Sequence, residues 1–534
     1  MKKLRRSYFW PVLSGLILIF LALTAYFSLN NARWQIKLEP AVQRILSNSR
    51  YSHANWGLLA VDAKSGAILL ELNPDKLFVP ASTTKLFTCA SALKVLGPDF
   101  RFKTPVYQHG KIDPRLGILW GDLILVANGD LTMGGRRRDN DTIAFTDLDH
   151  TDANALDGAE LTAPNPLAGL DQLAAQVKAS GISKVMGDII IDTRLYPIAR
   201  RPGGHFLSPI SINDNLIDFS ITPTGPGQPA RVTWRPFTEF YDVDILVTTA
   251  DKGQENRIFI NESDSTIKVR GQISADTKEL VKTYQVEDPA AFARALFMEA
   301  LEQAGVSVNA TLRKENPAWE LPKKERYAEM KKVAELVSLP FSEYVKLILK
   351  VSHNAGADNL VCLIAAASGK WGFEAGLAAE KDILKQAGVD LDQVFLGDGE
   401  GGVREDLISP QAAVQLLRCM GREKSFAAYR HALPLLGVDG SLAAMAKEND
   451  PARGKVAAKT GTTIMLIPMN QTPFLLCKGL AGYIQAKKGR EIAFAFYVNN
   501  VNMPEAKDLA AIGRFATDVG IDLGRIAQVL YLNN

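Results

Sequence analysis

The spacing of apolar positions changes several times along the 534 residues, and each change predicts a different element. Tyr8 to Asn30 is apolar and carries no charge, and it follows Lys2, Lys3, Arg5 and Arg6. Over 1–31 this predicts a signal peptide or membrane anchor with the cations on the inner side. No clean small-x-small cleavage site ends the run, which favours an uncleaved hydrophobic helix. Trp56–Val61 and Ala67–Leu72 flank the turn Asp62–Gly66 and read as a hairpin. After Pro80 the period becomes helical. Leu86, Phe87, Ala90 and Leu93 share one face, and Ser82 stands at or just before the first turn. Lys85, three residues on, is then beside Ser82.

From 101 to 325 the texture is different. Short β-rich runs recur at Gly121–Ala127, Gly187–Asp192 and Asp242–Thr248, separated by Gly- and Pro-rich turns. Helical patterns appear near 166–180 and 289–304, and the charged stretch Arg313–Lys332 reads as an exit linker. Helix returns at Pro340–Val351, where Phe341, Tyr344, Val345 and Ile348 form a stripe. A second helix is expected near Asp358, so Ser352-His353-Asn354 falls between the two. Leu480–Ala486 and Glu491–Val498 form another hairpin pattern, and a helix from Pro504 to Val519 closes the chain. Strands at both ends with helices between them predict an α/β (α+β) core over 32–100 and 326–534. One or two mostly β modules over 101–325 interrupt it.

Composition narrows the function classes. Hydrophobic content of 47% and charged content of 22% suit a globular protein of more than one domain. The net charge is +3 and the four N-terminal cations alone exceed it. The rest of the chain is slightly acidic, which gives no support for nucleic-acid binding. Cys89, Cys362, Cys419 and Cys477 are too scattered for a disulfide framework and read mainly as small buried hydrophobes.

Three strings carry chemistry: Ser82-Thr83-Thr84-Lys85, Ser352-His353-Asn354 and Lys459-Thr460-Gly461-Thr462. Singly, the first two are weak. S-x-x-K recurs at Ser265–Lys268 in a strand-like run, and S-x-N recurs at Ser28, Ser211 and Ser307. Order and helix context give the set its weight. A serine hydroxyl needs a proton acceptor, and Lys85, crowded by Lys459, can serve as that base. Ser352 can relay a proton to a leaving amine, and Asn354 can hold a substrate peptide bond. Lys459 with the hydroxyls of Thr460 and Thr462 can bind a carboxylate. The backbone N–H groups of Ser82 and Thr462 are candidates for an oxyanion hole. No G-x-S-x-G or H-E-x-x-H string is present. Asp147–Asp152 resembles part of a calcium loop but lacks its glycine and glutamate, so it and Arg136-Arg137-Arg138 read as solvated loops.

Taken together, these strings resemble the class C low-molecular-mass penicillin-binding proteins, the D-alanyl-D-alanine carboxypeptidase/endopeptidase family. The 270-residue separation of Ser82 and Ser352 matches the large insert of that family. Gly121-Asp122 with Gly129-Asp130, Gly187-Asp188 with Asp192, and Asn213–Leu216 are similar to its markers within the insert. Leu433–Leu442 and Gly479–Ile484 are similar to its C-terminal markers. The resemblance implies a penicillin-binding/serine β-lactamase-like transpeptidase core. It further implies an acyl-enzyme on Ser82, peptidoglycan stem peptides as substrates and β-lactam antibiotics as acylating inhibitors. No cofactor or metal is implied. With the N-terminal segment, it places the protein in the periplasm, tethered to the inner membrane through residues 8–30.

The chain departs from the family pattern at His353, where aspartate is usual, and at Glu400, where serine is usual. It also carries extra residues after Thr462 and an unusual loop over 134–165. Those departures leave the preferred substrate open. A serine β-lactamase-like hydrolase and a catalytically inactive peptidoglycan-binding homologue are the alternatives.

Overall fold

The computed structural model describes residues 38–534 apart from 505 and 507. The apolar run at 8–30 lies outside them. Among the described residues no helix is long and apolar enough to cross a membrane.

The first hairpin forms as its pattern predicts, with Asn55–Asp62 paired to Ile68–Leu72. Asn55–Asp62 pairs along its whole length with Glu491–Asn502, a strand 429 or more residues later in the chain. The resulting antiparallel sheet has the order Val456–Ile467, Thr472–Gln485, Glu491–Asn502, Asn55–Asp62, Ile68–Leu72. Both of its faces are covered, which is why Glu491–Asn502 reads as an unbroken apolar run instead of an alternating one. Phe494, Phe496 and Val498 face the C-terminal helix through Val519, Leu523 and Ile526. Ala493, Ala495 and Tyr497 face the helical layer. The C-terminal helix spans Leu509–Asn533 and outruns the expected end at Val519, because Ile526, Ala527 and Leu530 continue its stripe against the sheet.

The helix Lys85–Leu96 lies at the centre of the helical layer. It is buried on every side from Lys85 to Leu93, not on one face as its pattern suggests. The sheet closes one side, and the helices Phe341–Lys350, Asn354–Ala367 and Phe373–Gln386 close the others. Burying Leu86, Phe87 and Leu93 contributes about 1.5–3 kcal/mol each. The small residues Ala90, Ser91 and Ala92 let the neighbouring elements approach.

The insert leaves and returns through paired strands. Lys103–Asp113 goes out, and Lys332–Val337 comes back antiparallel to it. The charged stretch before Lys332 therefore delivers the chain into the insert's own sheet. That six-stranded sheet carries the helices Ala168–Ala179 and Pro289–Gln303. A Cβ on Gly187 would lie 2.1 Å from Asp122 Oδ1, the oxygen that accepts the Asp188 N–H at 2.8 Å. The Gly-Asp pairs thus stitch strands together where only glycine fits. Two three-stranded sheets and a two-stranded one, Ala199–Arg200 with Phe206–Leu207, complete the insert. Ser265 and Lys268 lie in one of them, at a hairpin turn and on the strand after it, so they share no helical turn.

Candidate active site

Ser82 sits in a 3-10 turn, Ala81–Thr84, that runs straight into the helix at Lys85. Residues i and i+3 eclipse in such a turn. Lys85 Nζ accordingly donates to Ser82 Oγ at 3.0 Å. It also donates to Asn354 Oδ1 at 2.7 Å and to the Glu400 carbonyl at 2.7 Å. An ammonium has three protons, and here are three acceptors. When one proton leaves, the freed lone pair faces the Ser82 hydroxyl. Ser82 is half-buried, whereas Lys85 is wholly buried.

Ser352-His353-Asn354 joins the helices Phe341–Lys350 and Asn354–Ala367. Ser352 has φ 63°, a left-handed conformation uncommon for a serine. The preceding helix is pinned from outside, since Lys350 Nζ meets both Asp439 carboxylate oxygens at 2.6 and 2.7 Å. Ser352 Oγ then accepts from Lys459 Nζ at 2.9 Å. The His353 ring turns away from Ser82 and into the insert.

Lys459 lies on Val456–Ile467, at the edge of the sheet. Side chains alternate along a strand, so Lys459 faces the helical layer and Thr460 and Thr462 face the other way. Thr460 Oγ1 meets Ser441 Oγ at 2.9 Å, and Thr462 Oγ1 accepts from Lys478 Nζ at 2.8 Å. The expected carboxylate cradle is therefore split across two faces and rejoins only at the strand edge. There the Ala458 N–H points outward to the Pro434 carbonyl, and the same alternation turns the Thr460 and Thr462 N–H groups outward. Gly461 packs on the serine turn. A Cβ there would stand 2.4 Å from the Pro80 carbonyl oxygen. Gly461→Ala is expected to slow acylation of Ser82 about 100-fold by shifting the strand. An unaltered rate with an activated ester would show that this contact does not align the site.

Burial sets the electrostatics. It lowers the Lys85 pKa, against the pull of the Glu400, Asp398 and Asp358 carboxylates. It lowers Lys459 further, and the neighbouring charge of Lys85 adds to that. Burial and the charge of each amine on the other favour the neutral form, which is the form able to accept a proton. Behind them Asp398 accepts four backbone N–H groups, from Glu400, Gly401, Gly402 and Val403. This fixes the loop whose carbonyl holds Lys85.

Two loops expected to be solvated are not. Arg137 and Arg138 are exposed, but Arg136 is buried, as are Asp149 and His150. Arg136 grips Asp149 through both nitrogens at 2.7 and 2.9 Å and reaches Asp214 Oδ2 at 2.7 Å. His150 bridges Asp218 at 2.6 Å and Asp214 at 2.9 Å. Burial alone would lower the His150 pKa, but Asp218, Asp149 and Asp214 outweigh it and lift it to about 10. Arg235 adds a third cation, 3.1 Å from Asp218. Three cations thus balance three carboxylates. Asp149, His150 and Asp214 have donor types suited to a metal, but the Arg136 guanidinium already supplies the cation they share.

Sequence reasoning missed the Glu400 carbonyl, Ser441, Lys478 and the Arg136 network. Lys478 is buried, and burial lowers its pKa to about 8. The Asn213-Asp214-Asn215 string was visible as a marker, but its long-range partners were not.

Residues 38–518 match the model of the D-Ala-D-Ala carboxypeptidase 3 (S13) family. A D-alanyl-D-alanine carboxypeptidase of Actinomadura sp. (strain R39) is 28% identical over 491 residues, 87% of this chain and 81% of that one. D-alanyl-D-alanine carboxypeptidase DacB of Haemophilus influenzae is 24% identical over 469 residues, 84% of this chain and 85% of that one. The crystal structure of penicillin binding protein 4 (dacB) from Haemophilus influenzae superposes with a TM-score of 0.66 at 22% identity. It covers 90% of this chain and 99% of its own. The fold is that of the penicillin-binding proteins, and the chain belongs to the D-Ala-D-Ala carboxypeptidase 3 (S13) family.

Proposed function

We propose that this chain is a serine-type D-Ala-D-Ala carboxypeptidase/endopeptidase that works through an acyl-enzyme on Ser82. The observation that carries the reading is Lys85 Nζ, buried and 3.0 Å from Ser82 Oγ. Neutral Lys85 takes the hydroxyl proton as Ser82 Oγ attacks the carbonyl carbon between two D-alanines. The oxyanion sits against the Ser82 and Thr462 N–H groups. Ser352, linked to Lys459 at 2.9 Å, passes a proton to the departing amine. Asn354 orients the peptide, and the Lys459–Thr462 strand holds the terminal carboxylate. Water then hydrolyses the ester.

A cavity of about 320 Å³ opens beside Asn354, lined by Asp152, Arg200 and Gln285 from the insert. A carboxylate and a guanidinium in one cavity suit a leaving group with both an amine and a carboxylate, such as the D-centre of diaminopimelate. This supports cleavage of cross-links as well as of D-Ala-D-Ala ends. A β-lactam complex is described for the Haemophilus influenzae structure. We extend that chemistry to this site, and we place the protein in the periplasm, tethered through residues 8–30.

Chromatography of purified muropeptides after incubation tests the reading, with Ser82→Ala as control. Released D-alanine or resolved cross-links, absent in the variant, are expected. Intact-protein mass after penicillin should show one penicilloyl group on the wild type and none on Ser82→Ala. Rapid antibiotic turnover would favour a β-lactamase-like hydrolase. Peptidoglycan binding without product would indicate an inactive homologue.

A further inference from the structure

The imidazole of His353 takes no part in acylation, yet it is buried and both of its nitrogens are engaged. Nδ1 accepts the Gly356 N–H at 2.8 Å and caps the helix Asn354–Ala367. A Cβ on Gly356 would lie 2.7 Å from that nitrogen, so the ring fits because residue 356 is glycine. A nitrogen that accepts carries no proton, so the ring is neutral and Nε2–H is the donor. It donates to Asp214 Oδ1 at 2.9 Å. Neutrality fits the surroundings, where Arg136, His150 and Arg235 already balance Asp149, Asp214 and Asp218.

Asp214 is itself held rigidly. Asn213, Asp214 and Asn215 all have left-handed φ, at 51°, 56° and 54°. The flanking asparagines bind their own backbone, Asn213 Nδ2 on the Leu216 carbonyl and Asn215 Nδ2 on the Ile210 carbonyl. The second carboxylate oxygen of Asp214 is fixed by Arg136 and His150. On the other side, His353 stands between Ser352, bonded to Lys459, and Asn354, bonded to Lys85.

We propose that His353 is a positioning residue whose hydrogen bond to Asp214 ties the Ser352-His353-Asn354 loop to the insert and so aligns Ser352 and Asn354 for acylation. The insert then does more than border the cleft: it sets the geometry of two side chains in the transpeptidase core. This inference rests on the acyl-enzyme reading above.

The two nitrogens can be separated by substitution. His353→Asn keeps an oxygen near Nδ1 for the Gly356 N–H but is too short to reach Asp214. His353→Gln places an amide N–H near the Nε2 position. Pre-steady-state labelling with a fluorescent penicillin reads the acylation rate constant apart from the initial binding constant. For His353→Asn the rate constant is expected to fall at least tenfold, with binding changed less than threefold. His353→Gln should recover to within threefold of the wild type. Asp214→Ala removes the acceptor of the same bond from the insert, and with His353→Asn it should slow acylation no more than either change alone. Folded His353→Asn that acylates at the wild-type rate overturns the proposal, as does an equal loss in the Asn and Gln variants. Should His353→Asn not fold, wild-type acylation by Asp214→Ala overturns it instead. A wild type that takes up no penicillin overturns the acyl-enzyme reading itself.

Discussion

Lys85→Met is expected to slow acylation of Ser82 by penicillin about 1,000-fold or more while leaving a folded protein. Loss of a positioned general base costs about 10²–10⁴-fold. Here the same substitution removes the donor that holds Ser82 Oγ, Asn354 Oδ1 and the Glu400 carbonyl together. Methionine matches the volume of lysine and needs no desolvation of charge. This offsets part of the cost of leaving Asn354 Oδ1 and the Glu400 carbonyl without a donor, so the protein should still fold with a lowered thermal midpoint. The pH profile gives a second reading. Burial lowers the Lys85 pKa below its ordinary 10.5. The basic form therefore grows as pH rises, and the acylation rate should climb and level off below pH 10.5. The two lysines interact, so the midpoint belongs to the pair. Intact mass against time, from pH 5 to 10, measures both effects. A Lys85→Met protein that labels within tenfold of the wild type would remove Lys85 from the mechanism.

Arg136→Ala is expected to destabilise the protein by about 3–5 kcal/mol, the cost of leaving a buried ion pair without one partner. Asp149 and Asp214 would lose three hydrogen bonds to the guanidinium. The thermal midpoint of the insert should fall by roughly 10 °C in calorimetry. His150 adds a pH signature. Its folded pKa, raised to about 10, exceeds that of a free imidazole. Its contribution is therefore complete below about pH 6.5 and is lost as pH rises towards 10. The wild type should lose stability over that window, and His150→Gln should lose less. A change below 1 kcal/mol in Arg136→Ala would mean that water replaces the guanidinium.

What the sequence made legible follows from distance along the chain. Ser82 and Lys85 are one turn apart, so a helical reading was enough to join them. Lys459-Thr460-Gly461 lies on one strand, yet reading it as a single cradle ignored the alternation that parts Lys459 from the threonine hydroxyls. Arg136, Asp149 and Asp214 span 78 residues; the first two read as solvated loops, and the third stood out only as part of a marker string. Charge pairing over such separations leaves no local pattern. The helix Lys85–Leu96 shows the complementary failure. Only Leu86, Phe87, Ala90 and Leu93 stood out as a face, but Thr88 and Ser91 are small enough to be enclosed as well. The core sheet was visible as two hairpins, one near each end of the chain. That the hairpins pair with each other was not, because register between distant strands is set by packing and not by turn chemistry.

That pairing has a consequence for the life of the molecule. Asn55–Asp62 cannot complete its sheet until Glu491–Asn502 has been synthesised, and Lys459 reaches its place only with that sheet. The nucleophile is made early and its cationic partner late, with the insert between them. A growing chain, or one truncated before about residue 502, holds Ser82 without the strand that closes its cleft. Assembly of the reactive centre therefore waits on the last strand of the core sheet.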